Sequence, residues 1–556
     1  MMMVLPSETE RRMFCFTFHD LLAKNLLERP GHTALESGDR SLTYSQLDER
    51  VEQLAGSLHA LGLRRGDRVC IHLPKCMEEV IASFAVSRLG GVFVNLNILL
   101  AIRQLKHGVR DAGARFLFMD RRKAAALAED GIPDCVERII IRDAAAPSHE
   151  KTIPLGDLPQ AEPAPQVRVI DRDLCAVLYT SGSTGLPKGV MLSHQNVVQS
   201  GMAAASHLGN CAADRVLCVL PLSFDFGLSQ LTSTFLVGAT LVPQSVQMPA
   251  EIARTLERKH ITGMATVPTG WIPFTRYVEE NGMEFPELRY VAVSGGMLPK
   301  GALRAWKRVF PNARKYVMYG MTEGFRSSYL PPEDFDRKLG SIGKPLPNVE
   351  LFVVHPEKGL CGPGEHGELL HRGSLISMGY LNNPEATLEK IRPCPHLKHL
   401  IGDEPVLYSG DTVYRDEEGY LYFVARTTTF IKCSDFRISP TEVEDIFFDS
   451  GMVSDVVAFG VPDEITGQAV HAALTPRPGR DFDQAALLAF CRKRMPSYMV
   501  PRGIHIWEGQ MPRTPNGKLD RPAIIAAYTD ASTALRGAER GQSKSNMISQ
   551  SQEETT

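Results

Sequence analysis

Short apolar runs alternate with longer stretches whose apolar residues recur every three or four positions, so strands and helices interleave along most of the chain. Phe14 to Leu27 carries a helical repeat, and Ser41-Leu-Thr-Tyr leads into a second one over Ser45 to Leu61. Arg68 to Leu73 predicts a strand, Met77 to Leu89 a helix, and Val92 to Asn95 and Arg115 to Met119 two further strands. Ala144 to Val167 is rich in proline and alanine and reads as a connecting loop. Cys175 to Tyr179 is the next buried strand. Val190-Met-Leu resumes the apolar pattern, so the polar stretch between them joins two strands. Ser193 is placed to cap a helix over His194 to Leu208. The alternation continues through Arg215 to Pro221, Ala239 to Val242, Gly263 to Val267, Tyr290 to Ser294 and Tyr316 to Tyr319.

Strands alternating with helices in this way predict parallel, doubly wound α/β layers. In such layers ligands lie beyond the carboxyl ends of strands, which makes Gly295-Gly296 and Gly320 natural binding positions. Each also fits an ordinary strand-to-helix turn. Gly340 to Val424 changes character, with short strands and Gly and Pro turns that suggest a small β-barrel or sheet. Arg426 to Ser434 reads as a hinge. Pro440 to Asp449, Val453 to Val461, Ala469 to Thr475 and Asp483 to Lys493 then form an α+β unit of about 100 residues, an ordinary domain size.

The expected fold class is therefore α/β. It has a large N-terminal domain (residues 1–425) of two doubly wound α/β subdomains over about 10–340 and a small β-barrel over about 341–425. A small mobile α+β C-terminal domain follows over 426–531. Residues 532–556 are rich in Ser, Gln and Glu and read as a disordered tail.

Composition narrows the function classes. A net charge of -3 over 556 residues gives no electrostatic reason to expect nucleic acid or a membrane surface. Eleven dispersed cysteines without a C-x-x-C pair argue for reduced thiols, not disulfides or a zinc site. The first residues lack the order of a signal peptide, and the most apolar window, Ile81 to Ile102, is interrupted by Arg88, Asn95 and Asn97. The expectation is a soluble, cytoplasmic protein.

The chemistry is concentrated in Thr180-Ser-Gly-Ser-Thr-Gly-Leu-Pro-Lys188-Gly189, which holds three glycines, four hydroxyls and one lysine in ten residues. Glycines let backbone N–H groups approach an anion, hydroxyls add donors, and Lys188 adds a charge, so the string suits a phosphate chain. It is not a Walker A loop, because Gly189 follows Lys188 where that pattern needs Ser or Thr before a helix.

This string, followed by Tyr319-Gly-Met-Thr-Glu323, Tyr408-Ser-Gly-Asp411 and Pro512-Arg-Thr-Pro-Asn-Gly-Lys518-Leu-Asp-Arg521, resembles the AMP-forming adenylating superfamily. That superfamily comprises acyl-CoA synthetases, adenylation domains of nonribosomal peptide synthesis and luciferases. The resemblance runs from Leu42 to Arg521. It implies a reaction in which a carboxylate attacks the α-phosphate of ATP and a thiol then displaces AMP. A carboxylic acid, with a pKa of about 4, is already a nucleophile at neutral pH, so the enzyme needs no general base. It needs donors and cations that gather anions and stabilise charge.

By resemblance, Thr180, Ser181, Ser183, Thr184 and Lys188 hold the β- and γ-phosphates. Gly295 and Gly296 let adenine lie against the backbone, and Tyr319 and Gly320 lie beside it. Thr322 contacts the α-phosphate and Glu323 holds Mg2+. Asp411 accepts the ribose hydroxyls, Arg426 supports ribose and phosphate, and Lys518 bridges the attacking carboxylate and the α-phosphate. Taken singly, Glu323 also fits a helix cap, Asp411 a turn, and Arg426 a surface ion pair.

Two segments set this chain apart. The hinge, commonly G-R-x-D-D-x-I-K-x-x-G-x-R, reads here Ala425-Arg-Thr-Thr-Thr-Phe-Ile-Lys432-Cys-Ser-Asp435-Phe-Arg437. Thr428 takes the hinge position, Thr429 replaces the next acid, and Asp435 replaces a glycine beside the pantetheine path. An impaired or partner-specific thiolation step and tolerated drift both fit. In Phe224-Asp225-Phe226-Gly227, Asp225 matches the aspartate that pairs with the ammonium in relatives activating amino acids, or else bonds backbone or a neighbour. Arg326 fits either a second substrate carboxylate or a surface acid.

The function expected is an ATP- and Mg2+-dependent AMP-forming ligase. It activates a carboxylic acid, favoured as a small amino acid, and passes it to the phosphopantetheine thiol of a free-standing carrier protein or CoA. A conventional acyl-CoA synthetase for a fatty or aryl acid is the second reading. A catalytically weakened adenylate-binding protein is the third.

Overall fold

The computed structural model describes residues 15–143, 149–180, 187–426, 429–433, 436–463, 466–479, 482–515 and 517–528. Ser181, Ser183, Thr184, Thr427, Thr428, Asp435 and the tail from 532 lie outside the described residues. The chain divides into two compact units, one running to Phe423 apart from Pro299–Gly301, and one from Val424.

The first unit holds three sheets. A seven-stranded sheet runs in the order Thr152–Pro154, Arg138–Ile141, Phe116–Met119, Arg68–His72, Val92–Asn95, Leu174–Thr180, Lys188–Ser193. All its pairings are parallel except the last. A nine-stranded sheet runs Lys344–Pro345, Ser328–Leu330, Arg314–Tyr319, Tyr290–Val293, Gly263–Thr266, Arg215–Cys218, Thr240–Pro243, Thr33–Ser37, Arg40–Thr43. It is parallel inside and antiparallel at both edges. Val92–Asn95, Phe116–Met119 and Tyr290–Val293 are buried at every position, because helices cover both faces of a parallel sheet. The third sheet is antiparallel, in the order Gly359–Leu360, Val349–His355, Gly367–Gly373, Pro405–Arg415, Ile391–Pro393, with Leu421–Arg426 also along Pro405–Arg415.

The core joins the two parallel sheets. Phe18 stacks on Phe84 at 4.4 Å between ring centroids, and Phe84 on Phe235 at 5.3 Å. Phe84 belongs to the helix Met77–Arg88 beside the first sheet, and Phe235 to the helix Asp225–Leu236 beside the second. Burying each such ring is worth about 1.5–3 kcal/mol.

Three elements depart from expectation. The first helix begins at Asp20, because the Asp20 carboxylate accepts the N–H groups of Phe16 and Thr17 at 3.1 and 2.7 Å and closes a turn ahead of it. Thr33–Ser37 and Arg40–Thr43 form a hairpin that adds to the second sheet, so the two α/β layers are not consecutive stretches of chain. Within Ala144 to Val167, read as a loop, Thr152–Pro154 pairs in parallel with Arg138–Ile141.

The second unit is a sheet ordered Phe436–Ile438, Ile431–Cys433, Gly467–Pro476, Val453–Asp463, with Gly503–Ile506 also on Gly467–Pro476. The helices Pro440–Asp449 and Gln484–Arg492 supply Val443, Phe447, Leu487 and Cys491 to its core. Among the described residues no helix is long and apolar enough to cross a membrane.

Candidate active site

The glycine-rich string leaves the carboxyl end of Leu174–Thr180 and returns as the antiparallel strand Lys188–Ser193, with Thr180 opposite Lys188. A side chain at Gly189 would come within 2.8 Å of Val177 Cγ1, so the strand keeps a glycine where the two strands meet. Ser193 then caps the helix His194–Leu208: its hydroxyl accepts the Asn196 N–H at 3.1 Å, and Asn196 Oδ1 accepts the Ser193 N–H at 2.9 Å. The sequence placed this strand, cap and helix correctly.

Met378 to Leu381 lies along the returning strand. Met378 N–H donates to Met191 O, Met191 N–H to Gly379 O, and Leu381 N–H to Gly189 O, at 2.8–2.9 Å. Gly379 has φ +100°, and a side chain there would strike Thr387 Cγ2 at 2.3 Å. This zipper fixes Tyr380, which no sequence motif singled out. The Tyr380 hydroxyl donates to Glu323 Oε1 at 2.5 Å, and the Lys188 ammonium lies 5.5 Å from its ring centroid. The Ser377 N–H also donates to the Glu323 carbonyl at 2.8 Å.

Glu323 sits in a turn after Arg314–Tyr319, not at a helix cap. The turn folds back so that Tyr319 lies opposite Ser328. Gly320 faces Phe325 O, which would lie 2.5 Å from a β-carbon there. Phe325 itself has φ +51°, an uncommon conformation for an aromatic residue. Thr322, half-buried, occupies the same turn. The Tyr319 hydroxyl donates to Asp411 Oδ2 at 2.6 Å, so these two candidates, 92 residues apart, meet directly. Asp411 is buried, and its N–H donates to Ser409 Oγ at 3.0 Å. Gly295, with φ +78°, and Gly296 form the bend after Tyr290–Val293, and Gly296 faces the Pro268 ring.

Phe224 and Asp225 open the helix Asp225–Leu236 and are both buried. Gly227 lets that first turn press on Pro221, whose carbonyl oxygen would be 2.1 Å from a β-carbon. Arg326 is 6% exposed, so the surface ion pair considered for it does not exist. Its Nε donates to Ser229 Oγ at 2.8 Å, Nη1 points at Met318 Sδ at 3.1 Å, and the guanidinium lies 5.1 Å from the Phe226 ring centroid. Burial holds the Arg326 pKa down to about 10 against the opposing charge of Asp225, so it remains a cation at neutral pH. Tyr290, Tyr316, Met318 and Phe226 line the same apolar cluster, with Tyr329 against it. His207 closes it, stacked on Tyr329 at 4.7 Å and donating from Nδ1 to Ala203 O at 2.6 Å. Burial and the nearby Arg326 push His207 down to about 3.

In the second unit, Lys518 ends a tight turn in which Thr514 N–H donates to Lys518 O at 2.7 Å and Gly517 N–H to Thr514 O at 2.8 Å. Arg426 is exposed, and its carbonyl accepts both the N–H and the hydroxyl of Thr429 at 2.9 and 3.0 Å.

The family models decide the assignment. That for AMP-binding enzyme matches residues 22–381, and that for the AMP-binding enzyme C-terminal domain matches 442–518.

The chain belongs to the AMP-binding enzymes.

This AMP-binding enzyme is 30% identical over 494 residues to a feruloyl-CoA synthase of an Amycolatopsis species, covering 88% of this chain and 94% of that protein. It is also 30% identical over 512 residues to a linear gramicidin synthase of Brevibacillus parabrevis, covering 91% of this chain but only 6% of that much longer protein. Among solved structures it is similar to the anthranilate CoA ligase AuaEII in complex with anthranoyl-AMP. The TM-score is 0.85 at 25% identity, over 94% of this chain and 99% of that one. The fold is that of the adenylate-forming ligases, with a large N-terminal and a small C-terminal domain, and the chain falls with the AMP-forming acyl- and aryl-CoA ligases.

Proposed function

We propose that this AMP-binding enzyme activates an acid carrying an amino group, first as its acyl-adenylate and then as a thioester of phosphopantetheine. In the first step a carboxylate oxygen of the acid bonds to the α-phosphorus of ATP, and the bond to pyrophosphate breaks. In the second, a thiolate bonds to the acyl carbon and AMP leaves with the electron pair.

The glycine-rich string and Lys188 would cradle the β- and γ-phosphates. Tyr319 and Asp411 would hold the nucleoside, since a carboxylate accepts from both ribose hydroxyls. Thr322 would contact the α-phosphate, and Lys518 would neutralise charge between acid and phosphate. Arg426 would support the nucleotide. Glu323 is the residue that would hold Mg2+, whose chemistry there is to withdraw charge from phosphate oxygens. The donor set fits that ion. Glu323 offers a carboxylate with one oxygen already oriented by Tyr380. Among the described residues, no group of three or more His, Cys, Asp or Glu could hold a metal by itself. Mg2+ is usually bound through one or two carboxylates plus substrate phosphates.

The observation that carries the substrate reading is Asp225, a buried carboxylate on the first turn of Asp225–Leu236, beside an aromatic chamber and near the buried cation Arg326. Burying a carboxylate is costly, and a substrate amino group would return part of that cost. The aromatic lining also supports a second reading, a flat aryl acid, in keeping with the feruloyl-CoA synthase and the anthranilate CoA ligase as relatives. CoA is the acceptor favoured by the relatives matched over their full length. A free-standing carrier protein presents the same thiol. A pyrophosphate-exchange screen over amino acids, aryl acids, fatty acids and an acid-free blank tests both readings. Exchange driven only by amino-free acids overturns the first. Absence of acid-dependent exchange with every acid overturns ligase activity altogether.

A further inference from the structure

We propose that Tyr380 is a positioning residue for the adenylation step, holding the metal-binding carboxylate of Glu323 and the phosphate-binding ammonium of Lys188 apart and in place before ATP arrives. This rests on the roles proposed above for Glu323 and Lys188. The geometry is independent of them. One side chain meets an anion at its hydroxyl, with Glu323 Oε1 at 2.5 Å, and a cation at its ring, with Lys188 Nζ at 5.5 Å.

The backbone around Tyr380 is fixed from three sides. Met378 to Leu381 is zipped to Gly189 and Met191, Ser377 is tied to the Glu323 carbonyl, and the Tyr380 N–H donates to Thr387 Oγ1 at 2.9 Å. Val190 and Tyr380 also form an antiparallel bridge. A ring so anchored has little freedom to follow its partners, so the partners must conform to it.

The physical benefit is the prevention of self-neutralisation. A lysine and a glutamate that serve the same phosphate chain would otherwise pair with each other, and that pair would have to break before phosphate and metal bind. The Tyr380 hydroxyl occupies one Glu323 oxygen with a charge-assisted hydrogen bond, leaving the carboxylate's remaining lone pairs for the ion. The ring face offers Lys188 a weak partner that phosphate readily replaces. Outer partners of this kind orient a ligand and raise its affinity for metal.

The test separates the two ends of the tyrosine. Tyr380→Phe keeps the ring and removes the hydroxyl. Tyr380→Leu removes both. Mn2+ binding to the ATP complex is read by electron paramagnetic resonance, and metal-free ATP binding by calorimetry, on the full chain. Tyr380→Phe is expected to weaken Mn2+ by about tenfold, the low end for losing an outer partner, while metal-free ATP binding stays within about twofold. Tyr380→Leu is expected to weaken metal-free ATP binding by a further factor of about two to five, the scale of a partly exposed cation–π contact. In a Glu323→Gln background, Tyr380→Phe should no longer change Mn2+ affinity. Unchanged Mn2+ affinity in Tyr380→Phe, or an equal loss in both backgrounds, overturns the proposal. Thermal unfolding of each variant identifies a fold defect, and a Tyr380→Phe melting temperature that falls in step with Mn2+ affinity also overturns it. These readouts need no turnover. Adenylate formation by the unmodified chain judges the proposed reaction separately.

Discussion

The corner proposed to face the phosphates and the chamber proposed to face the acid, both in the first unit, are built on opposite plans. The corner draws on two contiguous motifs, Thr180 to Gly189 and Tyr319 to Glu323, and in the second a backbone turn brings Glu323 beside Tyr380. The chamber comes from single residues on separate elements: Asp225 and Ser229 on one helix, Arg326 after a turn, His207 on another helix, and Tyr290 and Met318 on two strands. In the corner, Thr180, Lys188, Thr322 and Glu323 are half-buried. The chamber is a cluster of buried apolar residues, with Asp225 and Arg326 buried beside it. On the proposed reading, contiguous motifs serve the nucleotide and dispersed side chains serve the acid.

The largest effect expected is on the charge chemistry that both regions serve. Lys518→Ala should lower adenylation by roughly 10²–10³-fold, the scale of losing one transition-state charge contact, with little change in melting temperature. Pyrophosphate exchange at saturating acid checks this, and near-normal exchange would remove Lys518 from the first step.

Next comes the chamber's choice of acid. Asp225→Asn should weaken kcat/KM for an amino-bearing acid by about 30-fold, some 2 kcal/mol for one partner of a buried charged hydrogen bond. Its des-amino analogue should change far less. An equal loss on both would make Asp225 a structural counter-charge to Arg326 and would erase the contrast drawn above.

The chamber should also contribute to acid sensitivity. His207 is pushed down to about 3 by burial and by Arg326, against about 6.5 in the unfolded chain. The unfolded state therefore binds a proton that the folded state refuses, and the stability His207 contributes is full above about pH 6.5 and is lost as pH falls toward 3. His207→Gln should reduce the loss of unfolding free energy between pH 6.5 and 5 by about 1.6 kcal/mol, as the unfolded imidazole goes from half to almost fully protonated. His19, His194 and His371 are depressed in the same direction and leave a residual slope. Urea midpoints at the two pH values measure it, and parallel pH profiles for variant and parent would contradict it.

The smallest effect lies beside the phosphate corner. Ser193→Ala removes a helix cap and should cost about 1 kcal/mol of stability, measured by urea unfolding, with pyrophosphate exchange nearly unchanged. A large loss of exchange would mean that the cap positions Lys188, and the corner would then depend on more than its own motifs.

Both regions also differ in how much of them the chain's order reveals. The two strands, the cap and the helix around Lys188 were readable because each depends on neighbours within a few residues. Tyr319, Thr322 and Glu323 were singled out by the resemblance their motif carries, not by local structure. Tyr380 was not, because its importance comes from a zipper between Met378–Leu381 and a strand nearly 190 residues earlier. Its only local sign is Gly379, whose positive φ marks a forced turn. For Arg326 the sequence favoured a surface ion pair over the pocket. Its burial shows only in the fold, where it follows Phe325, a residue with left-handed backbone. The hairpin Thr33–Ser37 and Arg40–Thr43 likewise carries no mark that it joins strands some 200 residues away.

By itself the order of residues determined the alternation of strands and helices, the position of the glycine-rich string proposed to bind phosphate and the class of chemistry. These follow from local periodicity, turn geometry and the charges a phosphate chain demands. Tertiary structure alone decided which charges share a space: Tyr319 with Asp411, Tyr380 between Lys188 and Glu323, and Asp225 near a buried Arg326. Burial and long-range pairing arise only when distant segments pack, and they determine whether a charged side chain faces water, a partner or a substrate.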